Sequence, residues 1–141
     1  MQAVLEYIFR MGFNIDERLI ADSHVLQELD DMSLLLHNNA DVLWFILVPH
    51  TDVVEFYQLS MQQQQNLCTQ INRISELINN NFQFDKLNVA TIGNVVSQMH
   101  IHIVARRKED PYWPGVVWGQ PVHHQHDEAF IERVSNLVKS A

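Results

Sequence analysis

Asn94-Val-Val-Ser-Gln98-Met-His100-Ile-His102-Ile-Val-Ala-Arg106 is the stretch on which the reading of this chain turns. From Gln98 to Val104 polar and apolar residues alternate, and the β-branched Ile101, Ile103 and Val104 suit a strand. Successive side chains of a strand point to opposite faces. Gln98, His100 and His102 are therefore expected to share one face, with Arg106 beyond them, while Met99, Ile101, Ile103 and Ala105 line the other. A half-buried strand usually carries Thr, Ser, Lys or Glu on its polar face. Two imidazoles and an amide in register make a chemical surface instead.

The residues upstream predict the partners of that strand. Leu87 to Ile92 reads as a strand and Gly93-Asn94 as its turn. Ser60-Met-Gln-Gln63 has the form of a capping box. After it Leu67, Ile71, Ile74 and Ile78 recur at spacings of four, three and four, which predicts an amphipathic helix ended by Asn79-Asn80-Asn81. Val42 to Val48 is an almost unbroken apolar run stopped by Pro49, as in a central strand covered on both faces. Asn38-Asn39-Ala40-Asp41 is a tight connection before it, with Asp41 and the asparagines read as solvating or capping groups. Met32–His37 and Ser23–Leu29 are two further strands joined at Asp30-Asp31, and Asp16 is an N-cap for a short turn through Ile20. Val4, Leu5, Ile8 and Met11 have helical spacing.

Downstream the character changes. Asp110 to Pro121 holds three of the four prolines and two of the three tryptophans, which predicts an extended, irregular segment pinned by aromatic anchors. Trp113 and Trp118 suit either the core or an interface. Asp127 caps a last helix with Phe130, Val134, Leu137 and Val138 on one face.

Composition excludes several classes. The 141 residues read as one domain, 1–141, with a core over about 13–107 and an aromatic, proline-rich tail and C-terminal helix over 108–141. Hydrophobic content of 47% and charged content of 18% are those of a globular chain. A net charge of -8 argues against broad nucleic-acid binding, which needs a basic face. No apolar run approaches ~20 residues, so neither a membrane span nor a signal peptide is expected. The lone Cys68 fits a reducing compartment, with the cytoplasm as the expectation.

Two chemistries use a His-x-His strand. In one, His100 and His102 bind a metal, with a third ligand from His24, His37, His50 or the His123-His124-His126 cluster. In the other, one imidazole is a nucleophile toward phosphorus and its neighbours position it and the phosphate. Pattern and composition leave both open.

A resemblance separates them. Gln98-Met-His100-Ile-His102-Ile-Val-Ala-Arg106 resembles the signature strand of the histidine triad (HIT) family, written His-x-His-x-His-x-x with x apolar. The order of the strands and helix from Ser23 to Ile92 is similar to a HIT domain, and Trp113-Pro-Gly-Val-Val-Trp118-Gly resembles a bacterial branch. The resemblance implies an α+β, HIT-like fold: a five-stranded, mostly antiparallel sheet with a long helix packed on it and a C-terminal helix, in a homodimer. It implies a nucleotide hydrolase or nucleotidyl transferase acting on a purine nucleotide or nucleotide conjugate, without a protein-bound metal or cofactor. His100 would be the nucleophile that forms a covalent nucleotidyl-histidine, and His102 would help hold the phosphate. Asn38, Asn88 and Asn94 match or lie near positions that contact the nucleotide.

The departures bear on mechanism. Gln98 stands in the place of the first histidine; an amide donates a hydrogen bond but does not relay a proton near neutral pH. Val95 replaces a hydroxyl residue, and Trp44 falls near a further histidine of many members. Slow turnover, a substrate with a good leaving group, or a nucleotide-binding module with little turnover would each fit these changes.

Overall fold

The computed structural model describes residues 12–141. The helical spacing noted at Val4, Leu5, Ile8 and Met11 lies outside the described residues. The elements in chain order are α1 (Glu17–Ala21), β1 (Ser23–Glu28), β2 (Met32–His37), β3 (Leu43–Pro49), a 3-10 turn at Phe56–Gln58, α2 (Met61–Asn81), β4 (Lys86–Ala90), β5 (Ile101–Arg106) and α3 (Glu128–Ser140). The five strands form one sheet in the order β1-β2-β3-β5-β4, and every neighbouring pair is antiparallel. The expected α+β sheet with its long helix and C-terminal helix is therefore present.

Each helix begins where a side chain can satisfy a free backbone N–H. Asp16 caps α1 by accepting from the Arg18 N–H, and Asp127 caps α3 by accepting from the Phe130 N–H. Ser60 and Gln63 make the reciprocal capping box of α2.

The alternation along the strands sorts the core into two layers. Leu34, Leu36, Phe45, Leu47, Met99, Ile101, Ile103 and Ala105 face α2 and α3, meeting Leu67, Ile74, Leu77, Ile78, Val134 and Val138. Burying each such aliphatic side chain contributes roughly 1.5–3 kcal/mol. On the opposite face Leu35, Trp44, Ile46, Val48 and Val104 pack against Ile15, Leu19, Val96, Tyr112 and Val117, which come from the N-terminal segment, the β4–β5 loop and the tail. Among the described residues the five-residue α1 is the only helix on this second face, where loops line the sheet and a cleft opens.

The strand carrying the histidines is shorter than its sequence pattern. β5 starts at Ile101, so Gln98 and His100 precede it. The reason lies in the partner strand. Leu47 pairs with Ile101 as the last rung, and β3 ends two residues on at Pro49, which has no N–H to donate. On the other side β4 stops at Ala90, opposite His102.

The tail is irregular, as expected, and tied down over its length. Arg106 is 2% exposed and grips Asp110 through two bonds, Nε–Oδ2 at 2.7 Å and Nη2–Oδ1 at 3.0 Å. Trp113 lies 5.7 Å from the same guanidinium, and the Trp113–Pro114 peptide is cis. Asp41 does more than solvate a turn: its side chain, 4% exposed, accepts from the backbone N–H and Nδ1 of His123, from Nδ1 of His124 and from the Tyr112 hydroxyl. These contacts strap the tail to the β2–β3 connection. Among the described residues no helix is long and apolar enough to cross a membrane.

Candidate active site

A cleft of about 430 Å³ opens on the loop-covered face of the sheet, lined by His37 at the end of β2, Trp44 and Ile46 of β3, His102 of β5, and His100 just before it. Gly93, Asn94, Val95 and Val96 of the β4–β5 loop form one wall, Trp118 and Gly119 of the tail another, and Arg18 and Leu19 of α1 a third. Gly93 has φ of 71°, the left-handed conformation that lets the loop turn back beside the histidines.

Backbone and side-chain partners assign the proton on each ring. His100 Nδ1 lies 2.6 Å from the Gln98 carbonyl oxygen. A carbonyl only accepts, so Nδ1 carries the proton and Nε2 keeps its lone pair in the neutral ring. His102 is the reverse. The Trp44 indole Nε1–H donates to His102 Nδ1 at 3.0 Å, and indole has no acceptor, so the His102 proton sits on Nε2. The two rings stand edge to face with centroids 4.8 Å apart. A lone pair on one ring and an N–H on its neighbour thus share one cleft.

Burial keeps the surrounding imidazoles uncharged. The pKa of His102 falls from 6.5 to about 3, chiefly through desolvation, with His100 and His37 adding repulsion. His37 falls to about 4 for the same first reason, despite the opposing pull of Asp22. His37 stacks on Trp44 at 4.0 Å, and its Nδ1 accepts from the Asn39 backbone N–H. Trp118 closes the group, 5.3 Å from the His102 ring and 6.0 Å from Trp44.

The residues expected from sequence divide. His100, His102 and Asn94 come together in the cleft. Gln98 does not join them on one face. Its Oε1 accepts from the Asp16 backbone N–H at 2.8 Å and its Nε2 donates to the Asn14 carbonyl at 2.8 Å, so the amide turns to the N-terminal segment. Asn88 lies on the same sheet face as His102 but gives its amide oxygen to Arg106 Nη1 at 3.1 Å. Asn38 stands outside the lining, with a long contact of 3.5 Å to the Ala21 carbonyl. Among the described residues, no three of His, Cys, Asp or Glu are arranged to hold a metal ion.

Sequence reasoning missed Trp118 and Arg18 as members of the site, raised His37 only as a possible metal ligand, and noted Trp44 only as falling near a further histidine of the family. The one usable signal was Trp44, whose alternation with Ile46 and Val48 puts it on the face of a neighbouring strand's polar residues. Beside the cleft lies a second, more open one of about 750 Å³, lined by residues 14–18, 51–54, Ser97 and Gln98, and Arg18 borders both.

Comparison with known proteins identifies the fold. No curated protein matches the chain. Among solved structures, a histidine triad protein from Marinobacter aquaeolei is 38% identical, with a TM-score of 0.83 over 91% of this chain and 97% of that one. One from Bradyrhizobium japonicum is 34% identical, with a TM-score of 0.85 over 91% and 96% of the two chains. One from Sinorhizobium meliloti is 30% identical, with a TM-score of 0.86 over 92% and 97%. The HIT domain profile matches residues 18–109, the span that runs from α1 through both histidines to the Arg106–Asp110 turn. With its antiparallel sheet, its paired imidazoles and this match over most of its length, the chain belongs to the histidine triad family.

Proposed function

We propose that this protein is a nucleotide hydrolase or nucleotidyl transferase that works at the α-phosphate of a purine nucleotide conjugate through a covalent nucleotidyl-His100. The observation that carries the reading is the 2.6 Å contact between His100 Nδ1 and the Gln98 carbonyl, which leaves the Nε2 lone pair available in the cleft. Nε2 attacks the α-phosphorus, and the bond from phosphorus to the leaving group breaks with its electron pair on the departing atom. The P–N bond formed is a phosphoramidate. Water then attacks phosphorus, the P–N bond breaks, Nε2 recovers its pair, and the proton from water passes to solvent. One difficult displacement becomes two easier ones.

His102 supplies the complementary group. With its proton held on Nε2 by the Trp44 bond, it donates to a non-bridging phosphate oxygen without itself changing charge. Asn94 and the Gly93–Val96 loop, which line the same cleft, share that task in this reading. The aromatic walls, Trp44 and Trp118, give the cleft an apolar lining that suits a base or sugar. A homodimer belongs to the same reading, supported by the edge position of β4 and the exposed Val89 and Ile92 at and just beyond it; sedimentation at micromolar concentration tests it.

The decisive experiment is His100→Ala, assayed with an adenosine phosphoramidate and a dinucleoside polyphosphate. Turnover should fall by orders of magnitude while nucleotide affinity largely survives, because the nucleophile bonds to phosphorus only along the reaction path. Mass spectrometry of the quenched wild-type protein should find one adenylyl group on His100. An active His100→Ala protein, or wild-type activity abolished by EDTA and restored by zinc, would overturn the assignment.

A further inference from the structure

Gln98 occupies the place of a histidine that could relay protons, yet its amide reaches neither His100 nor His102. It brackets the N-terminal segment instead, accepting from the Asp16 N–H and donating to the Asn14 carbonyl, both at 2.8 Å. Asp16, held in this way, caps α1 and grips the Arg18 guanidinium through two bonds, Nε–Oδ1 at 3.0 Å and Nη2–Oδ2 at 2.8 Å. The third side of the guanidinium donates from Nη1 to the Val95 carbonyl at 3.1 Å, in the loop that walls the histidine cleft. Gln98, Asp16, Arg18 and Val95 thus form one continuous chain of hydrogen bonds ending at the cleft's rim.

Among the described residues three of the five guanidinium N–H groups find partners, which leaves one on each terminal nitrogen. The Arg18 side chain is 58% exposed, so those two are open to an incoming group. Among the described residues that line the cleft, Arg18 is the only lysine or arginine, and Asp22 is the only carboxylate. A nucleotide brings negative charge into this space, and a leaving group made of phosphate brings more. A departing phosphate, whose last ionisation lies near ~6, leaves as an anion without being protonated first. It needs a cation to meet its charge rather than an acid to supply a proton. An amine leaving group has the opposite requirement.

We propose that Arg18 is the specificity-determining contact for a phosphate-bearing leaving group, and that Gln98 is the positioning residue that sets it at the rim. The favoured substrate class is then a nucleoside polyphosphate conjugate, cleaved between the α-phosphorus and the next bridging oxygen. That oxygen keeps the electron pair as His100 Nε2 takes its place on phosphorus. The proposal rests on the assignment of His100 as nucleophile.

The test compares kcat/KM for diadenosine triphosphate, which releases ADP, with that for adenosine 5′-phosphoramidate, which releases ammonia. Wild type should favour the triphosphate. In Arg18→Gln the ratio of the two should fall about 5- to 20-fold, the range of a partly exposed charged hydrogen bond. Arg18→Lys should recover part of the loss, since it restores charge without the fork. Gln98→Leu should lower the same ratio, with KM for the triphosphate rising more than kcat falls. A merely structural loss of folded protein would depress both substrates equally and leave the ratio alone. The proposal is overturned if the Arg18→Gln ratio stays within twofold of wild type, or if wild type favours the phosphoramidate. Adenylylation of wild-type His100 is followed in parallel. If it occurs while the ratio does not move, Arg18 is misassigned and His100 stands; if neither substrate labels His100, the nucleophile reading falls and this one with it.

Discussion

Lowering the pH from 7 to 5 should destabilise the fold by at least about 2 kcal/mol, and replacing one half-buried carboxyl should add about 2 kcal/mol to that loss. The groups responsible are His37 and His102, whose pKa values fall from 6.5 to about 4 and about 3 in the folded protein. As pH drops through 6.5 the unfolded chain takes up protons that these two buried rings refuse. Stability is therefore present above 6.5 and lost below it, at up to ~1.4 kcal/mol per pH unit for each ring, or about 2 kcal/mol each by pH 5. Glu28 works in the other direction. Half-buried beside Ser33, which donates to its Oε2 at 2.8 Å, and with His50 Nε2 3.5 Å from the same oxygen, its carboxyl rises from 4.5 to about 7 through desolvation. It takes a proton in the folded state first, so its contribution grows as pH falls from 7 to 5 and offsets about 2 kcal/mol. His50 and His126 are depressed by burial and add to the acid loss. Asp16 and Asp41, held below their ordinary 3.8, lose their contribution only at lower pH. The assay is urea unfolding followed by tryptophan fluorescence at pH 7, 6 and 5. Wild type should lose at least about 2 kcal/mol over that range, and Glu28→Gln about 2 kcal/mol more than wild type. A Glu28→Gln protein with the same pH dependence as wild type would refute the reasoning, as would a wild type that gains stability toward pH 5.

Three substitutions test other parts of the structure. Trp44→Phe removes the donor that fixes the His102 proton on Nε2; one hydrogen bond of ~1 kcal/mol corresponds to about a fivefold lower kcat/KM, and an unchanged rate would sever His102 from the mechanism. Asp110→Ala leaves the 2%-exposed Arg106 without its carboxylate and should lower unfolding stability by ~3–5 kcal/mol; a loss under ~1 kcal/mol in urea titration would show the pair to be dispensable. Ile74→Ala opens a void between α2 and the sheet and should lower stability by ~2–5 kcal/mol by the same measurement, leaving the histidine cleft on the opposite face active.

The features readable in the sequence are those with local causes. The capping box at Ser60 and the N-caps at Asp16 and Asp127 involve residues two or three apart, and all three form as read. The stripe of Leu67, Ile74 and Ile78 and the alternation of Ile101, Ile103 and Ala105 each follow from the period of one element, and both faces meet in the same core. The resemblance of Gln98–Arg106 to the histidine triad strand then supplied the family, since a motif is local too.

Contacts distant along the chain could not be read in this way. Where β5 begins depends on Pro49, more than fifty residues earlier, because a strand extends only as far as a partner can pair with it. The proton position on His102 is set by Trp44, 58 residues away; the alternation of the apolar run gave the face of Trp44 but not the partner of its indole N–H. Gln98 turns from its expected face because two backbone groups at Asn14 and Asp16, 84 and 82 residues off, satisfy its donor and its acceptor together. Residue type and period determined which side chains the strands and helix would present. Which of those side chains meet, and therefore which proton each histidine holds, was decided only when the loops folded over the sheet's second face, because hydrogen-bond partners are chosen by distance in space.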